Sequence, residues 1–300
     1  MDPSSRIAQP SFSFAIRTYC SLTKPGIIFG NAVTAAAGFA LASKRHIDPQ
    51  LFFFTLLGLC LIIASGCVFN NYIDRKADAQ MRRTKHRALV QELISPHSAL
   101  LFACVLGFLG VLFLAFFSSH LALWIALLGL FVYVIAYSFL KYHSMYATWI
   151  GSIAGAVPPL VGYCAVSRCI DGAAWILFFL IALWQLPHFF AIAIYRLEEY
   201  AAASIPVLPK QKGIQITKIH MLIYIIAFLG ISSMLFFYGY AGSGYLITTL
   251  LLGLSWLILC IKGFRCENDT RWARKMFIFS LVVVMGLCIA IAFSVTKPLA

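Results

Sequence analysis

Residues 51–78 read LFFFTLLGLCLIIASGCVFNNYIDRKAD. From Leu51 to Ile73 there is no Lys, Arg, Asp or Glu, and an apolar run of that length crosses a bilayer as a helix. The run then ends in two carboxamides, Asn70 and Asn71, and two carboxylates, Asp74 and Asp78. The first part reads as a membrane span and the last as its polar mouth. Outward from this stretch the apolar pattern repeats. Nine runs read as spans: 26–43, 51–73, 99–118, 121–140, 146–166, 173–194, 219–238, 245–261 and 276–295. Most connections are short, and two are long, 74–98 and 195–218.

Composition agrees. Of 300 residues 62% are hydrophobic and 11% charged, with a mean hydropathy of +0.90. Soluble domains run at roughly 45–50% apolar and about 25% charged, so this chain has too little polar surface to cover a globule in water. The expected fold class is all-α: a polytopic membrane bundle of about nine transmembrane helices, forming a single domain over 1–300. It carries an N-terminal tail, 1–21, and cap loops at 74–98 and 195–218. The tail has no long apolar stretch and no small-residue cleavage pattern, so it does not read as a signal peptide. The long loops follow spans two and six, the spacing of a duplicated four-helix unit with a ninth helix added.

The basic residues orient the bundle. All but Lys44, Arg45, Arg168 and Lys297 of the 23 Lys and Arg fall on the side that holds the N-terminus and both long loops. The positive-inside rule places that side in the cytoplasm and the C-terminus outside. The net charge of +13 is thereby mostly a topology signal. It also suits an anionic lipid surface or substrate, and no aromatic-and-basic pattern of a nucleic-acid module accompanies it. The nine cysteines include no CxxC pair, and most lie in apolar runs, so they read as small buried hydrophobes rather than as disulfides or zinc ligands.

Two constellations carry chemistry. On a helix, Asn71, Asp74 and Asp78 fall within roughly 60° of one another, with Asn70 close to that arc. All are oxygen donors, which suits Mg²⁺, an ion that takes one or two protein carboxylates and completes its shell with phosphate and water. Arg82, Arg83, Lys85 and Arg87 follow directly. They read either as solvated topology charges or as partners of a diphosphate.

The second constellation lies in span six, Trp184-Gln185-Leu186-Pro187-His188. Pro187 removes a backbone donor and predicts a kink. Gln185, His188, Tyr195 and Glu199 are spaced to form a polar stripe down one face to the loop end, with Arg196 beside it. Glu199 suits a metal or a water; Arg196 and Lys212 suit phosphate. His188 is open to three readings: haem ligand, proton carrier or packed helix residue. In span five, Gly151, Gly155 and Ala156 precede Pro158-Pro159, and the small residues there predict close helix packing with a break.

At these residues the sequence resembles the UbiA-type intramembrane prenyltransferases, and within them the branch that farnesylates haem. The resemblance rests on Leu22-Thr23-Lys24-Pro25-Gly26 with Gly30-Asn31, then Asn70 to Asp78, Met81, Arg83-Thr84-Lys85 and Arg87. It continues through Gly155 to Leu160, Trp184 to Phe189, Tyr195-Arg196, Ile205-Pro206-Val207-Leu208-Pro209 and Lys212-Gly213. It implies a nine-helix bundle with a central cavity in the bacterial inner membrane. It implies Mg²⁺-dependent transfer of farnesyl from farnesyl diphosphate to the 2-vinyl group of haem B, with water addition, giving haem O. Asp74, Asp78, Asn70 and Asn71 would be the metal and catalytic residues, and Arg83, Lys85, Arg87, Arg196 and Lys212 the diphosphate clamps. His188, Tyr195 and Glu199 would position haem or water. Terminal oxidase assembly machinery is the implied partner. The pattern departs from the family at Tyr195 to Glu199, where many relatives carry a second Asp-x-x-x-Asp, and at Ala88, often Pro. Two other readings stay open: a relative that prenylates an aromatic or quinone precursor, and a haem or lipid transporter.

Overall fold

In the computed structural model, which describes residues 12–294, the polypeptide builds an all-α bundle. Helix α1 (Phe12–Leu22) leads into α2 (Pro25–Ser43), α3 (Pro49–Asp78) and α4 (Pro96–Phe117). The fourth span is composite: α5 (His120–Phe131), a π-helical turn (Val132–Tyr137) and α6 (Ser138–Leu140). The fifth is broken at Ala156 into α7 (Ala147–Gly155) and α8 (Val157–Ser167). Then come α9 (Gly172–Tyr195), the short α10 (Leu197–Ala202) and α11 (Leu208–Lys212), α12 (Ile214–Phe237), α13 (Ser243–Lys262) with a 3₁₀ turn (Gly263–Arg265), and α14 (Asp269–Ser294). Among the described residues nine segments are long and apolar enough to cross a membrane, matching the nine predicted runs, and the protein is a multi-pass membrane protein. Arg6 and Lys297 lie outside the described residues, as does the end of the chain.

The helix starts are written in the sequence. Asp48, Ser95, Ser119 and Asp171 each accept a hydrogen bond from the first turn of the helix that follows, and Pro49 and Pro96 open their helices where no backbone donor is needed. The bundle is inverted relative to a soluble domain. Phe29, Phe108, Phe116, Trp124 and Phe293 point outward to the lipid, whereas the polar Asn70, Asn71, Asp74, Asp78, Gln185 and His188 are buried. The predicted close packing at span five is realised against α2. A Cβ on Gly38 would stand 2.1 Å from the Pro159 carbonyl oxygen, and one on Gly162 would stand 1.9 Å from that of Ala35. Only glycine permits this approach.

Several boundaries differ from the sequence reading. The tail over 1–21 carries α1, whose Leu22 is buried with Val68, Leu89 and Ala103. Helix α3 runs on to Asp78, so the first cap loop starts after 78 rather than at 74, and the acidic motif is helical as its spacing predicts. The stretch 195–218 is two short helices and the first turn of α12, which Gly213 (φ 86°) introduces. Lys218 belongs to that turn and is buried, donating to the Gly263 carbonyl at 2.7 Å and pairing with Asp269 at 2.5 Å. Helix α14 starts at Asp269, a turn and more before its apolar run, because backbone bonding continues past the bilayer boundary. Helix α9 passes through Pro187 as one helix. It ends at Tyr195, so the polar stripe stops there and Glu199 stands on α10. The described cysteines are all free thiols.

Candidate active site

The C-terminal turns of α3 place Asn70, Asn71, Asp74 and Asp78 side by side, each under 5% exposed. Buried carboxylates need partners, and each has one from a different part of the chain. Asp74 is met by the Lys141 ammonium and accepts from the Tyr142 hydroxyl at 2.7 Å. Asp78 accepts from Arg87 Nη1 at 2.5 Å. Asn70 Oδ1 accepts from Lys24 Nζ at 2.6 Å, and Asn71 donates to the Leu22 carbonyl at 2.7 Å. The short segment between α1 and α2 therefore docks on the motif. It is held there by Lys24, whose backbone is left-handed (φ 54°), with Pro25 opening α2 behind it.

The electrostatics follow from this crowding of cations. Burial, and then the nearby Arg87 guanidinium, hold the Lys24 ammonium down to about 8. Burial and the Asp74 carboxylate push the Tyr142 phenol well up, so it stays a donor. Above the acidic pair the π-helical turn carries Tyr133 and Tyr137, stacked with ring centroids 5.7 Å apart. Lys141 lies 5.7 Å from the Tyr137 ring centre and 5.2 Å from that of Tyr142. The rings turn their faces to positive charge.

The donor set fits a magnesium ion. Asn71 Oδ1 is buried with no hydrogen-bond partner, an unsatisfied hard oxygen on the same arc as Asp74 and Asp78. Among the described residues no three His, Cys, Asp or Glu converge as a self-sufficient metal cage. Two carboxylates and an amide oxygen suit an ion that shares its shell with phosphate.

The chain matches the UbiA prenyltransferase family over residues 31–282. The chain belongs to that family. It is 54% identical over 282 residues to the protoheme IX farnesyltransferase of Protochlamydia amoebophila, covering 94% of this chain and 100% of the relative. To the protoheme IX farnesyltransferase of Cronobacter sakazakii it is 49% identical over 284 residues, covering 94% and 96%. Among solved structures, a digeranylgeranylglyceryl phosphate synthase superposes with a TM-score of 0.78 at 17% identity, covering 93% of this chain and 98% of that one. A UbiA homologue of Archaeoglobus fulgidus bound to GPP and Mg²⁺ superposes at 0.67 with 16% identity, covering 92% and 99%. These likenesses establish the fold as that of UbiA prenyltransferases.

Within this prenyltransferase fold the sequence-predicted residues fall into two groups. Asn70, Asn71, Asp74, Asp78 and Arg87 converge as expected. Lys85 and Lys212 are exposed, and among the described residues no hydrogen bond or ion pair ties their side chains to the acidic motif. Arg83 reaches Glu199 Oε2 at 3.9 Å, linking the first cap loop to α10. Met81, Ala203 and Ile205 bury themselves together beneath this link. Arg196 donates to Glu199 at 2.7 Å and to the Tyr195 hydroxyl at 3.0 Å, turned to its own loop rather than to Asp74 and Asp78.

His188 stacks on Trp184, with centroids 4.9 Å apart, and its Nδ1 lies 2.7 Å from Ser280 Oγ. The Ser280 hydroxyl already donates to the Phe277 carbonyl at 2.6 Å. His188 Nδ1 must then carry the proton in its bond to Ser280, leaving Nε2 as the lone-pair nitrogen. Gln185 faces α7, bonding the Ser152 carbonyl at 3.3 Å. Sequence reasoning missed the site roles of Lys24, Lys141 and Tyr142. Lys24 stood in the topology count and in the resemblance, without a site role, and Lys141 only in the topology count.

Proposed function

We propose that the chain transfers farnesyl from farnesyl diphosphate to the 2-vinyl group of haem B, adding water to give haem O. The two relatives named above, about half identical over nearly the whole chain, support the acceptor and the donor. The observation that carries the site is the meeting of Asp74, Asp78 and the unsatisfied Asn71 oxygen under Arg87, Lys141 and Lys24. Asp74, Asp78 and Asn71 hold Mg²⁺, with Asn70 turned to Lys24. When bound, the metal neutralises charge on the leaving diphosphate. Arg87, Lys141 and Lys24 hold the diphosphate from the protein side, with Arg83, Lys85 and Lys212 at the outer rim.

As the carbon–oxygen bond of farnesyl diphosphate breaks, the electron pair leaves with diphosphate and an allylic cation remains. The stacked Tyr133 and Tyr137 rings, beside the Lys141 that meets Asp74, are the aromatic groups that steady it. The vinyl group attacks; water then adds to the new cation beside the macrocycle and releases a proton. The apolar bundle keeps water from the first cation. His188, Tyr195 and Glu199 order the acceptor or the attacking water. The loops lie in the cytoplasm and the C-terminus outside the inner membrane, by the charge bias. The product passes to terminal oxidase assembly.

The test is purified chain with farnesyl diphosphate and Mg²⁺, offered haem B or a phenolic quinone precursor, with products weighed. The proposal expects haem B to gain the mass of farnesyl plus a hydroxyl group, the proton of the added water being released, and the phenol to stay unchanged. Farnesylation of the phenol instead would replace the acceptor, and unchanged substrates in both arms would point to transport.

A further inference from the structure

Between the end of α9, α10 and the first turns of α14 lies a cavity of about 530 Å³, lined by Tyr195, Arg196, Glu199, Thr270, Arg274 and Phe277. We propose that this cavity seats the carboxylate edge of the acceptor tetrapyrrole, with Arg274 and Arg196 as its anion-binding pair. This rests on haem as the acceptor. The chemistry of the lining is that of a flat apolar body with an acidic edge. Tyr195 and Phe277 place their rings 5.7 Å apart on the inner side, and the Arg196 guanidinium carbon sits 4.8 Å over the Tyr195 ring. Guanidinium forks and a Thr270 hydroxyl stand at the outer side, suited to bidentate contact with carboxylate.

Charge separates this cavity from the diphosphate site. A prenyl diphosphate has one anionic end, and Arg87, Lys141 and Lys24 already face it at Asp74, Asp78 and Asn70. The second cationic pole therefore belongs to the acceptor. It comprises Arg196 and Arg274 against the single carboxylate of Glu199. The Arg274 side chain has no ion pair or hydrogen bond with any described residue, whereas that of Arg196 is held in place by Glu199 and Tyr195. Arg196 thus serves the acceptor, not the diphosphate.

The depth also fits. Along α14, Ser280 stands about 9 Å inward of Arg274 at the helical rise. Ser280 carries His188, and the rings of Phe277 and His188 lie 5.0 Å apart between them. A macrocycle anchored by its carboxylates at Arg274 and Arg196 lays its apolar body over Phe277 and turns its vinyl-bearing edges into the span.

The experiment uses the full chain in nanodiscs, wild type, Arg274→Ala and Arg274→Lys, with haem B and its propionate dimethyl ester. Absorbance titration gives haem affinity, and steady-state assays give KM for haem and for farnesyl diphosphate. Loss of a charge-assisted carboxylate contact should weaken binding by about 10- to 100-fold in Arg274→Ala. Arg274→Lys should recover part of it, and the preference for diacid over diester should shrink. KM for farnesyl diphosphate should stay within about twofold, which also shows that the variant is folded. Equal haem affinity and an unchanged diacid preference in Arg274→Ala would overturn the proposal. Should wild type bind haem through Arg274 yet form no farnesylated product, the seat stands and the reaction assignment falls.

Discussion

At the residue scale, the site is a set of long-range pairings on one helix end. Asp74 meets Lys141 and Tyr142, and Asn70 meets Lys24. Lys24 is a site group whose protonation changes near pH 8. Its ammonium is lowered from 10.5 to about 8 by burial and by Arg87. Between those values the unfolded chain holds a proton that the folded chain has released, so stability rises with pH across that window and the Lys24 charge opposes folding below it. Binding of an anion follows the opposite sense, because it uses the charge. KM for farnesyl diphosphate should rise as pH passes through about 8, and Lys24→Met should show a higher KM without that inflection. KM profiles from about pH 7 to 9 check this; an identical inflection in the variant would remove Lys24 from the site. Tyr142→Phe, which deletes one donor to Asp74, should lower kcat by about 3- to 30-fold while sparing KM for haem. Steady-state kinetics in the two substrates measure it. None of these partners was legible from the sequence. Asp74, Asp78 and Asn71 declared themselves by helical spacing and residue type. Lys141 read as one more topology charge, because nothing local links it to a carboxylate across the fold.

At the element scale, apolar runs located every span, since a bilayer imposes a length and a composition on a helix. The ends were less legible. Asp269, Arg271 and Arg274 are polar and read as loop, yet they are the first turns of α14. Helix bonding does not require apolar side chains, so the boundary of the bilayer and the boundary of the helix differ. The π-helical turn at Val132–Tyr137 was invisible for a related reason, because an extra residue in one turn leaves no compositional mark. The break at Ala156 was legible in Pro158-Pro159 and its small neighbours, and it serves the contact of α8 with α2. Gly162→Leu should disrupt that contact, since even Cβ has no room beside the Ala35 carbonyl. The expected loss is about 1–3 kcal/mol or more of stability. Thermal denaturation in detergent would show it as a lowered Tm, and a melting curve equal to wild type would contradict the close packing.

At the scale of the whole molecule, nine spans and two cap loops bring two cationic poles to one end of the bundle, bridged by Arg83 and Glu199. The proposed orientation, read from the charge bias, has that end in the cytoplasm. Cys169 is exposed in the turn between α8 and α9, at the opposite end from Cys20, which is exposed on α1. An impermeant maleimide added to intact cells with a permeabilised outer membrane should label Cys169 and spare Cys20; the reverse pattern would invert the orientation. We propose that the acidic end of α3 releases diphosphate only when the haem acceptor is present. The most direct measurement is diphosphate release from farnesyl diphosphate, with and without haem B, by wild type, Asp74→Asn and Asp78→Asn. The predicted result is haem-dependent release by wild type that falls at least about 100-fold in either variant. Release at the same rate without haem, or undiminished in both variants, would contradict it.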